Sequence, residues 1–274
     1  MWKSNFLHAL ILLSIFGVSV AFVAPTTTTR TSLLQHHPPT QALSSLSSTT
    51  TPQSSNDVVE EESKSAIAQA KQILVQAAND KTVDSDTVVG ALLDLERLMR
   101  QANKADPSQS DATLEALSSS GNGASWRLIF TTGTVDTQKR TGRINYFPIQ
   151  ATQSFVQQED DDWYIENGIA LGDFSLLKFK GDFDWTLQKS GVTKLTFDFT
   201  AIKLFNAFEI QLKSGEAANL GAKTGLGSKN NVDLEKKGKR PFFNWISADD
   251  QIATARGGGG GLALWKRIEY EGEL

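Results

Sequence analysis

The sequence contains no cysteine, and its three histidines, His8, His36 and His37, all lie in the first 40 residues. The missing thiol excludes disulfides and cysteine catalysis. If the N-terminal segment is removed, Cys/His zinc sites and serine–histidine–aspartate triads are excluded as well, because each needs an imidazole or a thiol. The remaining chemistry must come from carboxylates, lysine, tyrosine or hydroxyl groups.

The chain also lacks an excess of basic residues. Its formal charge is −4, and no cluster of Lys and Arg with interleaved aromatics occurs, which argues against nucleic acid as the main partner. The glycine-rich string 221–229 lacks the Gly-Lys-Ser/Thr sequence of a phosphate-binding loop, so no nucleotide or other cofactor is predicted. Tyrosine is scarce too: the 15 Phe and 6 Trp against 3 Tyr give rings that need burial or a hydrophobic ligand.

The first 56 residues have the composition of targeting segments. An apolar run from Phe6 to Val20 follows Lys3 and ends in small residues, which predicts a signal peptide over residues 1–21. The alternative, a signal anchor, is disfavoured because the run is short for a membrane span. In residues 26–55 more than half of the side chains are Ser or Thr, and Asp57 is the first acidic residue of the chain. This composition predicts a transit peptide over residues 22–56.

The junction between these segments adds a resemblance. Residues 20–25, Val-Ala-Phe-Val-Ala-Pro, resemble the Ala-Phe-Ala-Pro type motif that joins signal and transit peptides in algae with complex, red-lineage plastids. The resemblance implies import into a plastid by way of the endoplasmic reticulum. Secretion is the alternative.

Residues 57–120 form a predicted helical arm. Two narrow apolar stripes recur at helical spacing and predict a helical hairpin, with Asp84 or Ser85 capping the second helix; the stripes are Ile67, Ala70, Leu74 and Ala77, then Val88, Leu92, Leu95 and Met99. A third short helix is predicted after Asp106-Pro107, with Leu114 and Leu117 as its contacts. The arm either packs on the following domain and closes one of its ends, or binds a lipid surface.

Short strand patterns separated by turns fill residues 121–270, with no long helix between them. This pattern predicts a mainly β fold, an antiparallel β-barrel, and a barrel of about eight strands can hold one small ligand. The opening strand places Trp126, Leu128 and Phe130 on one face, and residues 143–147 are expected to pair back on it. Residues 257–261 are five glycines that form the turn of a final hairpin or let a ligand approach the backbone. Residues 213–240 lose the apolar pattern and are predicted to be a mobile loop.

The alternation predicts inward-facing residues on two neighbouring strands. Phe183, Trp185 and Leu187 share one face, and Leu195, Phe197 and Phe199 share the next. These rings either fill a core or line a cavity, and the alternation alone leaves both open. Trp126 is expected to plug the closed end of the barrel, with Lys266 or Arg267 of the last strand over its ring.

Two segments together resemble the plastid lipid-associated proteins, also called plastid fibrillins. The first contains Trp126-Arg-Leu-Ile-Phe-Thr-Thr132, Gly142-Arg-Ile-Asn-Tyr-Phe147 and Asn167-Gly-Ile169; the second contains Asp249-Asp-Gln-Ile252, Arg256-Gly257 and Gly261-Leu-Ala-Leu264. The resemblance covers residues 93–267. It implies a lipocalin-like barrel in plastids, peripherally associated with thylakoids or plastoglobules, that binds prenylquinones, carotenoids or fatty acids.

The closing segment departs from the family pattern. With Arg256 aligned, Gln251 and Ala253 stand where the family has Asp and Arg, so that acid–base pair is absent or shifted to Asp249 or Asp250. Ala263 and Trp265 replace positions that are often Phe and Val. These departures put a polar role of this strand in doubt.

Three functions follow as hypotheses. The first is a non-enzymatic barrel that holds one plastid lipid, with lining candidates Trp126, Phe130, Tyr146, Phe155, Phe183, Trp185, Phe197, Phe199 and Leu264, and with Arg143, Arg256 and Lys266 either at its polar head or in solvent. The second is a coat or scaffold of lipid bodies without an internal ligand. The third is an enzyme that uses carboxylates, either the run 160–162 or Asp182 with Asp184.

Overall fold

A computed structural model of the chain describes residues 55–118, 124–148, 150–157, 163–172, 174–224 and 229–268. Within these residues the protein is mainly β, a closed antiparallel lipocalin-like barrel of eight strands preceded by helices. The predicted signal and transit peptides and the acidic run 160–162 lie outside the described residues. No helix in the described segments is long and apolar enough to cross a membrane.

Three helices precede the barrel: α1 (Ser55–Asn79), α2 (Ser85–Ala105) and α3 (Ser108–Ser118). Asp84 caps α2, because its carboxylate accepts the backbone N–H groups of Asp86 and Thr87, both at 3.0 Å. The predicted hairpin and third helix are therefore confirmed.

The strands follow with three short helices among them. They are β1 (Ala124–Thr131), α4 (Val135–Thr141), β2 (Asn145–Tyr146), β3 (Gln150–Gln157), β4 (Trp163–Leu171), β5 (Phe174–Leu187), β6 (Thr193–Leu204), β7 (Phe208–Gln211), α5 (Glu216–Thr224), α6 (Lys229–Glu235), β8 (Phe242–Ala248), β9 (Ile252–Gly257) and β10 (Leu262–Ile268). Hydrogen-bonded neighbours run β1-β3-β4-β5-β6-β8-β9-β10, and β10 pairs with β1 to close the barrel. The short β2 and β7 add to β1 and β6.

The α1–α2 hairpin packs on the outer wall of the barrel, beside β8, β9 and β10. Both predicted stripes lie in this contact, which we call the outer core. The outer core comprises Ile67, Ala70, Leu74, Ala77, Val88, Leu92, Leu95 and Met99 from the helices and Ile129, Phe130, Ile246, Ile252, Leu262 and Leu264 from the strands. The hairpin therefore covers the side of the barrel rather than its end.

A bulge in β1 changes the predicted face of one residue. The register of β1 with β10 shifts between Leu128 and Phe130, where Ile129 is the extra residue. Trp126 and Leu128 face inward, whereas Ile129 and Phe130 belong to the outer core. Strict alternation across residues 126–130 was therefore the wrong prediction.

Two connections also differ from the predictions. Residues 145–146 do pair back on β1, but the connection between β1 and β2 contains helix α4 in place of a turn. Thr134 starts α4 by accepting the backbone N–H of Thr137 at 3.2 Å. The predicted loop 213–240 contains the two packed helices α5 and α6.

The predicted pairings in the second half of the barrel are confirmed. Phe183 lies opposite Phe197 and Trp185 opposite Leu195 across β5 and β6. β9 and β10 form the final hairpin around the glycine run 257–261. In that turn Gly260 has a φ of +83°, a left-handed conformation that favours glycine.

A candidate ligand site inside the barrel

A second apolar cluster lines the inside of the barrel, and we call the inside of the barrel the lumen. Its buried members are Leu117, Ala124, Trp126, Phe155, Ile165, Leu195, Phe197, Trp245, Ala253, Ala255 and Trp265. Leu128, Trp163, Phe183, Trp185, Phe199, Phe243, Ala248 and Ala263 pack against them and are less buried. All but Leu117 come from strands, whose alternation directs every second side chain inward.

Helix α3 covers one end of the lumen. The indole Nε1 of Trp126 donates to the backbone carbonyl of Leu117 at 3.0 Å, and Trp126 has no exposed surface. The hydroxyl of Ser110 accepts from Trp185 Nε1 at 3.2 Å and from Thr193 Oγ1 at 3.0 Å. These bonds hold α3 on the strand ends, so this end of the barrel is closed.

Trp126 plugs the closed end as predicted. The guanidinium of Arg267 lies 5.5 Å from the centre of its ring, within the range of a cation–π contact. Trp126 is paired directly with Arg267 across β1 and β10. The predicted neighbourhood of the first and last strands is confirmed.

On the inner face of the barrel, some side chains farther from the closed end remain partly accessible. Leu128, Phe199, Phe243 and Ala263 sit on four different strands, point into the barrel and remain partly exposed. The inner face of the barrel therefore has an apolar surface that is not fully buried.

Aromatic rings form much of that surface. Trp245 lies 5.3 Å from Trp265 and 5.8 Å from Phe155, between ring centres. Phe243 stacks on Phe197 at 5.4 Å and meets Trp265 edge-on at 6.2 Å. Rings at these separations form a continuous hydrophobic surface.

Two amide side chains interrupt the apolar wall. Gln153 lies opposite Trp126 on one neighbouring strand and opposite Asn167 on the other, so both amides share the inner face. Gln153 is 3% exposed, and neither its Nε2 nor its Oε1 has a hydrogen-bond partner. The buried Oδ1 of Asn167 is also unpaired. Such groups are uncommon because each loses its bonds to water without replacement.

Six of the nine predicted lining residues lie in the lumen. They are Trp126, Phe155, Phe183, Trp185, Phe197 and Phe199. Phe130 and Leu264 belong instead to the outer core and Tyr146 packs against it, so the assignment of these three to a lumen wall was wrong. The Tyr146 hydroxyl donates to the carbonyl of Val83 at 2.7 Å, which ties β2 to the helical hairpin.

Arg256, one of the predicted head-group residues, faces the outer wall and binds Glu96 of α2. Its Nε and Nη2 donate to the two carboxylate oxygens at 2.9 and 2.5 Å, and its Nη1 donates to the carbonyl of Gly260 at 2.8 Å. Arg100 donates to the same carboxylate at 2.8 Å. This bidentate pair fastens α2 to the barrel.

The interactions of this pair lower the pKa of Glu96 and raise the pKa of Arg256. Burial raises the pKa of the Glu96 carboxyl, but the hydrogen bonds and charges of Arg256 and Arg100 outweigh burial and leave the pKa below its ordinary value. The hydrogen bonds that Arg256 donates to the Glu96 carboxylate raise the pKa of Arg256. The pair is therefore ionised at neutral pH.

The other two predicted head-group residues also lie outside the lumen. Arg143 forms an ion pair with Asp86 at the start of α2. Lys266 is paired with Arg127 across β10 and β1, and it points outward because its neighbours Trp265 and Arg267 face inward. None of the three predicted cations reaches a ligand inside the barrel.

Three of the carboxylates considered for catalysis or for the family's acid–base pair have structural partners: Asp249, Asp182 and Asp184. Asp249 forms an ion pair with Lys71 of α1 at 3.0 Å, and its Oδ1 accepts the backbone N–H of Ile252. Asp182 and Asp184 lie on the outer face of β5 and share Arg240, at 3.2 and 3.0 Å. Within the described residues no group of three His, Cys, Asp or Glu side chains is placed to hold a metal ion.

The sequence analysis missed Glu96, Gln153 and Asn167. Glu96 is a charged residue beside the apolar stripe of its helix and is buried in the structure, and nothing local shows that Arg256 lies beside it. Gln153 and Asn167 occupy inward positions of their strands, and each breaks an apolar alternation. A polar residue at an inward position was therefore the one signal available in the sequence.

A scan of protein-family models finds none that matches this chain, and searches of curated proteins and of solved structures find no match either.

Proposed function

We propose that this protein is a non-enzymatic lipid-binding protein whose lumen holds one hydrophobic metabolite. The observation that carries the proposal is the accessible apolar inner face of a closed eight-stranded barrel, at Leu128, Phe199, Phe243 and Ala263. A barrel of this size has room for one small ligand. The aromatic wall suits a ligand that is itself flat or long and apolar.

The resemblance to plastid fibrillins supports a more specific version of the proposal. Prenylquinones, carotenoids and fatty acids are the ligand classes that it implies, and the targeting segments support a plastid location with peripheral association at thylakoids or plastoglobules. The polar groups of the lumen favour a neutral head group, because Gln153 and Asn167 are amides. A quinone carbonyl or a hydroxyl can bond to an amide without bringing a charge into the barrel.

The direct test is a titration of the purified chain from residue 55 onward with a prenylquinone, a carotenoid and a fatty acid. Quinones quench tryptophan emission at short range, and Trp245 and Trp265 in the lumen wall are natural reporters. We expect saturable quenching by the quinone at one site. No saturable binding of any of the three classes would contradict the proposal.

Two substitutions locate the binding. Ala263→Phe fills the lumen from β10, and we expect it to weaken binding at least tenfold. Ala68→Phe adds the same ring at an exposed position of α1, where it should leave binding unchanged. Leu128→Trp on β1 serves as a second filling variant, and circular dichroism checks that each variant is folded.

A coat or scaffold protein of lipid bodies without an internal ligand is the second candidate. It is favoured by large apolar side chains that are exposed at the other end of the barrel, described below. Flotation of the protein with lipid droplets, together with an absence of saturable ligand binding, would select this candidate over the first. A carboxylate-dependent enzyme is a weaker proposal, since Asp184 already pairs with Arg240 on the outer face.

A further inference from the structure

Large apolar side chains are exposed at the end of the barrel opposite α3. Leu171 and Phe174 flank the turn between β4 and β5, and Phe205 and Phe208 flank the turn between β6 and β7. Their exposed fractions are 73%, 55%, 36% and 61%. We call these four side chains the apolar tip.

The two turns of the apolar tip form one surface. The rings of Phe174 and Phe205 stack with their centres 5.9 Å apart, and the backbone N–H of Phe205 donates to the carbonyl of Leu176. The connection between β5 and β6 lies at the closed end, beside α3. Strands β4 and β6 therefore run away from the closed end, and the turns that follow them lie at the opposite end. The tip therefore projects from the end of the barrel opposite α3, which we call the open end.

The turn between β6 and β7 has a backbone conformation that is unfavourable for most residues. Phe205 and Asn206 have φ values of +53° and +52°, the left-handed pair of a tight hairpin that favours Asn and Gly. A phenylalanine adopts this conformation at a cost, and its ring, 36% exposed, is covered only in part by Phe174.

Charge near the tip differs from that of the chain as a whole. Residues 135–141, 171–180 and 203–213 contain six basic and three acidic side chains, whereas the chain has 27 basic and 31 acidic ones. Lys139 and Arg140 on α4 are exposed at this end. Lys178 and Lys203 lie opposite each other on β5 and β6 behind the tip, where Lys178 forms an ion pair with Glu166. Phenyl rings with a basic collar are typical of proteins that insert into a lipid interface with anionic head groups.

We propose that the apolar tip inserts into an anionic lipid surface and holds the open end of the barrel against it. A ligand then passes between the lipid and the lumen without crossing water. The inference rests on the proposed function for its purpose, although the tip itself is independent of whether the lumen is occupied.

The test is flotation of the protein with vesicles of phosphatidylcholine mixed with phosphatidylglycerol, compared with pure phosphatidylcholine. We expect the double variant Phe174→Ser/Phe208→Ser to lower the partition coefficient at least tenfold, since it removes two apolar rings from the contact with lipid. Leu93→Ser is the matched control, because Leu93 is 47% exposed on α2 but far from the tip. Unchanged flotation of the double variant would overturn the inference.

The basic collar has its own control. Lys139→Gln/Arg140→Gln should weaken binding to the anionic vesicles, whereas Lys104→Gln/Lys189→Gln at the closed end should not. Equal losses from both pairs would show that net charge, not the open end, drives binding. That result would contradict the proposed orientation.

Orientation can be measured directly because the chain has no cysteine. An environment-sensitive fluorophore on Ala207→Cys, in the tip, should shift to the blue on vesicles, and the same label on Lys189→Cys, at the closed end, should not. A dimer in solution that disappears in the tip variant, without flotation of the parent, would assign the tip to a second copy and reject the lipid surface.

These outcomes are separable from failure of the proposed function. Tip variants should keep quinone quenching in vesicle-free solution, because the lumen is intact. If the parent floats through its tip and binds no ligand, the lumen proposal fails and the surface inference stands.

Discussion

Gln153 shows most clearly how one residue departs from the pattern around it. Its amide is buried on the inner face of β3 and has no hydrogen-bond partner in the described residues. An amide in this state costs about 1 to 3 kcal/mol relative to a paired or solvated one. A ligand or a water molecule that forms hydrogen bonds with the amide would offset this cost.

The first prediction follows from that cost. Gln153→Leu keeps the side-chain size and removes the unpaired amide, so we expect the ligand-free protein to gain about 1 kcal/mol in its free energy of unfolding. Urea denaturation measures the change. The control, Gln211→Leu on the exposed strand β7, should stay within about 0.5 kcal/mol of the parent.

Ligand binding should reverse the advantage of that variant. If the amide bonds to a quinone carbonyl, the affinity of Gln153→Leu for quinone falls while its affinity for a plain hydrocarbon chain does not. Equal affinities for both ligands would show that Gln153 has no part in recognition.

Single residues were predictable where one local pattern decides their position. Trp126 and Arg267 could be placed together because both lie at matching ends of the first and last strands. Arg256 could not be assigned correctly, since its partner Glu96 is 160 residues away in sequence, on a helix whose rotation depends on packing. Phe130 was misplaced because nothing in the sequence identifies Ile129 as a bulge.

At the scale of elements, the α2 helix connects the hairpin to the barrel. Its apolar stripe packs into the outer core, and Glu96 adds one bidentate pair with Arg256 at the edge of that contact. Asp249 and Lys71 form a second link through α1. Both links depend on ionised carboxylates.

The second prediction concerns the pH dependence of this docking. The pKa of Glu96 is lower in the folded protein than in the unfolded chain, so its contribution to stability is present above about pH 4.3 and is lost as the pH falls through the folded pKa. Asp249, whose pKa is also lowered although burial opposes the shift, acts in the same direction. We expect the free energy of unfolding to fall as the pH drops below about 4.3.

Glu96→Gln isolates that contribution. At pH 7 we expect a loss of about 2 kcal/mol, between the small value of an exposed ion pair and that of a fully buried one. The difference between parent and variant should shrink on acidification, as measured by denaturation at several pH values. Asp94→Asn, two positions away on the exposed face, is the control, and an equal loss there would exclude a specific role for the pair with Arg256.

The spacing of apolar residues alone predicted whether most elements are helices or strands, whereas the short elements could not be predicted in this way. Strands with alternating apolar residues and helices with stripes at three and four residues are strong signals. Helices α4, α5 and α6 have at most nine residues each, too few to show a period, and their stretches were therefore interpreted as a turn and a loop. Bulges in β5, β6 and β8 are equally invisible, because they change faces without changing composition.

The whole molecule has two unlike ends. Helix α3 seals one end through Trp126 and Trp185, and the other end carries the apolar tip. The eight-stranded closed barrel was predictable from repeated strands and from the need to pair the edges. Which end is closed was not predictable, because it depends on where a short helix docks.

The third prediction uses this architecture. A ligand held inside a closed barrel binds the folded chain and not the unfolded one, so it should raise the free energy of unfolding by about 2.7 kcal/mol at a concentration one hundred times its dissociation constant. Chemical denaturation with and without prenylquinone measures the shift. The slope of the transition should not change, because the ligand adds no surface that unfolding exposes.

The filled variant Ala263→Phe should show no such shift, although its own unfolding remains cooperative. A ligand that merely coats the apolar tip predicts a different pattern. It would stabilise Ala263→Phe as much as the parent, and it would lose its effect in Phe174→Ser/Phe208→Ser. The comparison of these two variants therefore decides whether a hydrophobic ligand is held by the lumen or by the outside of the open end.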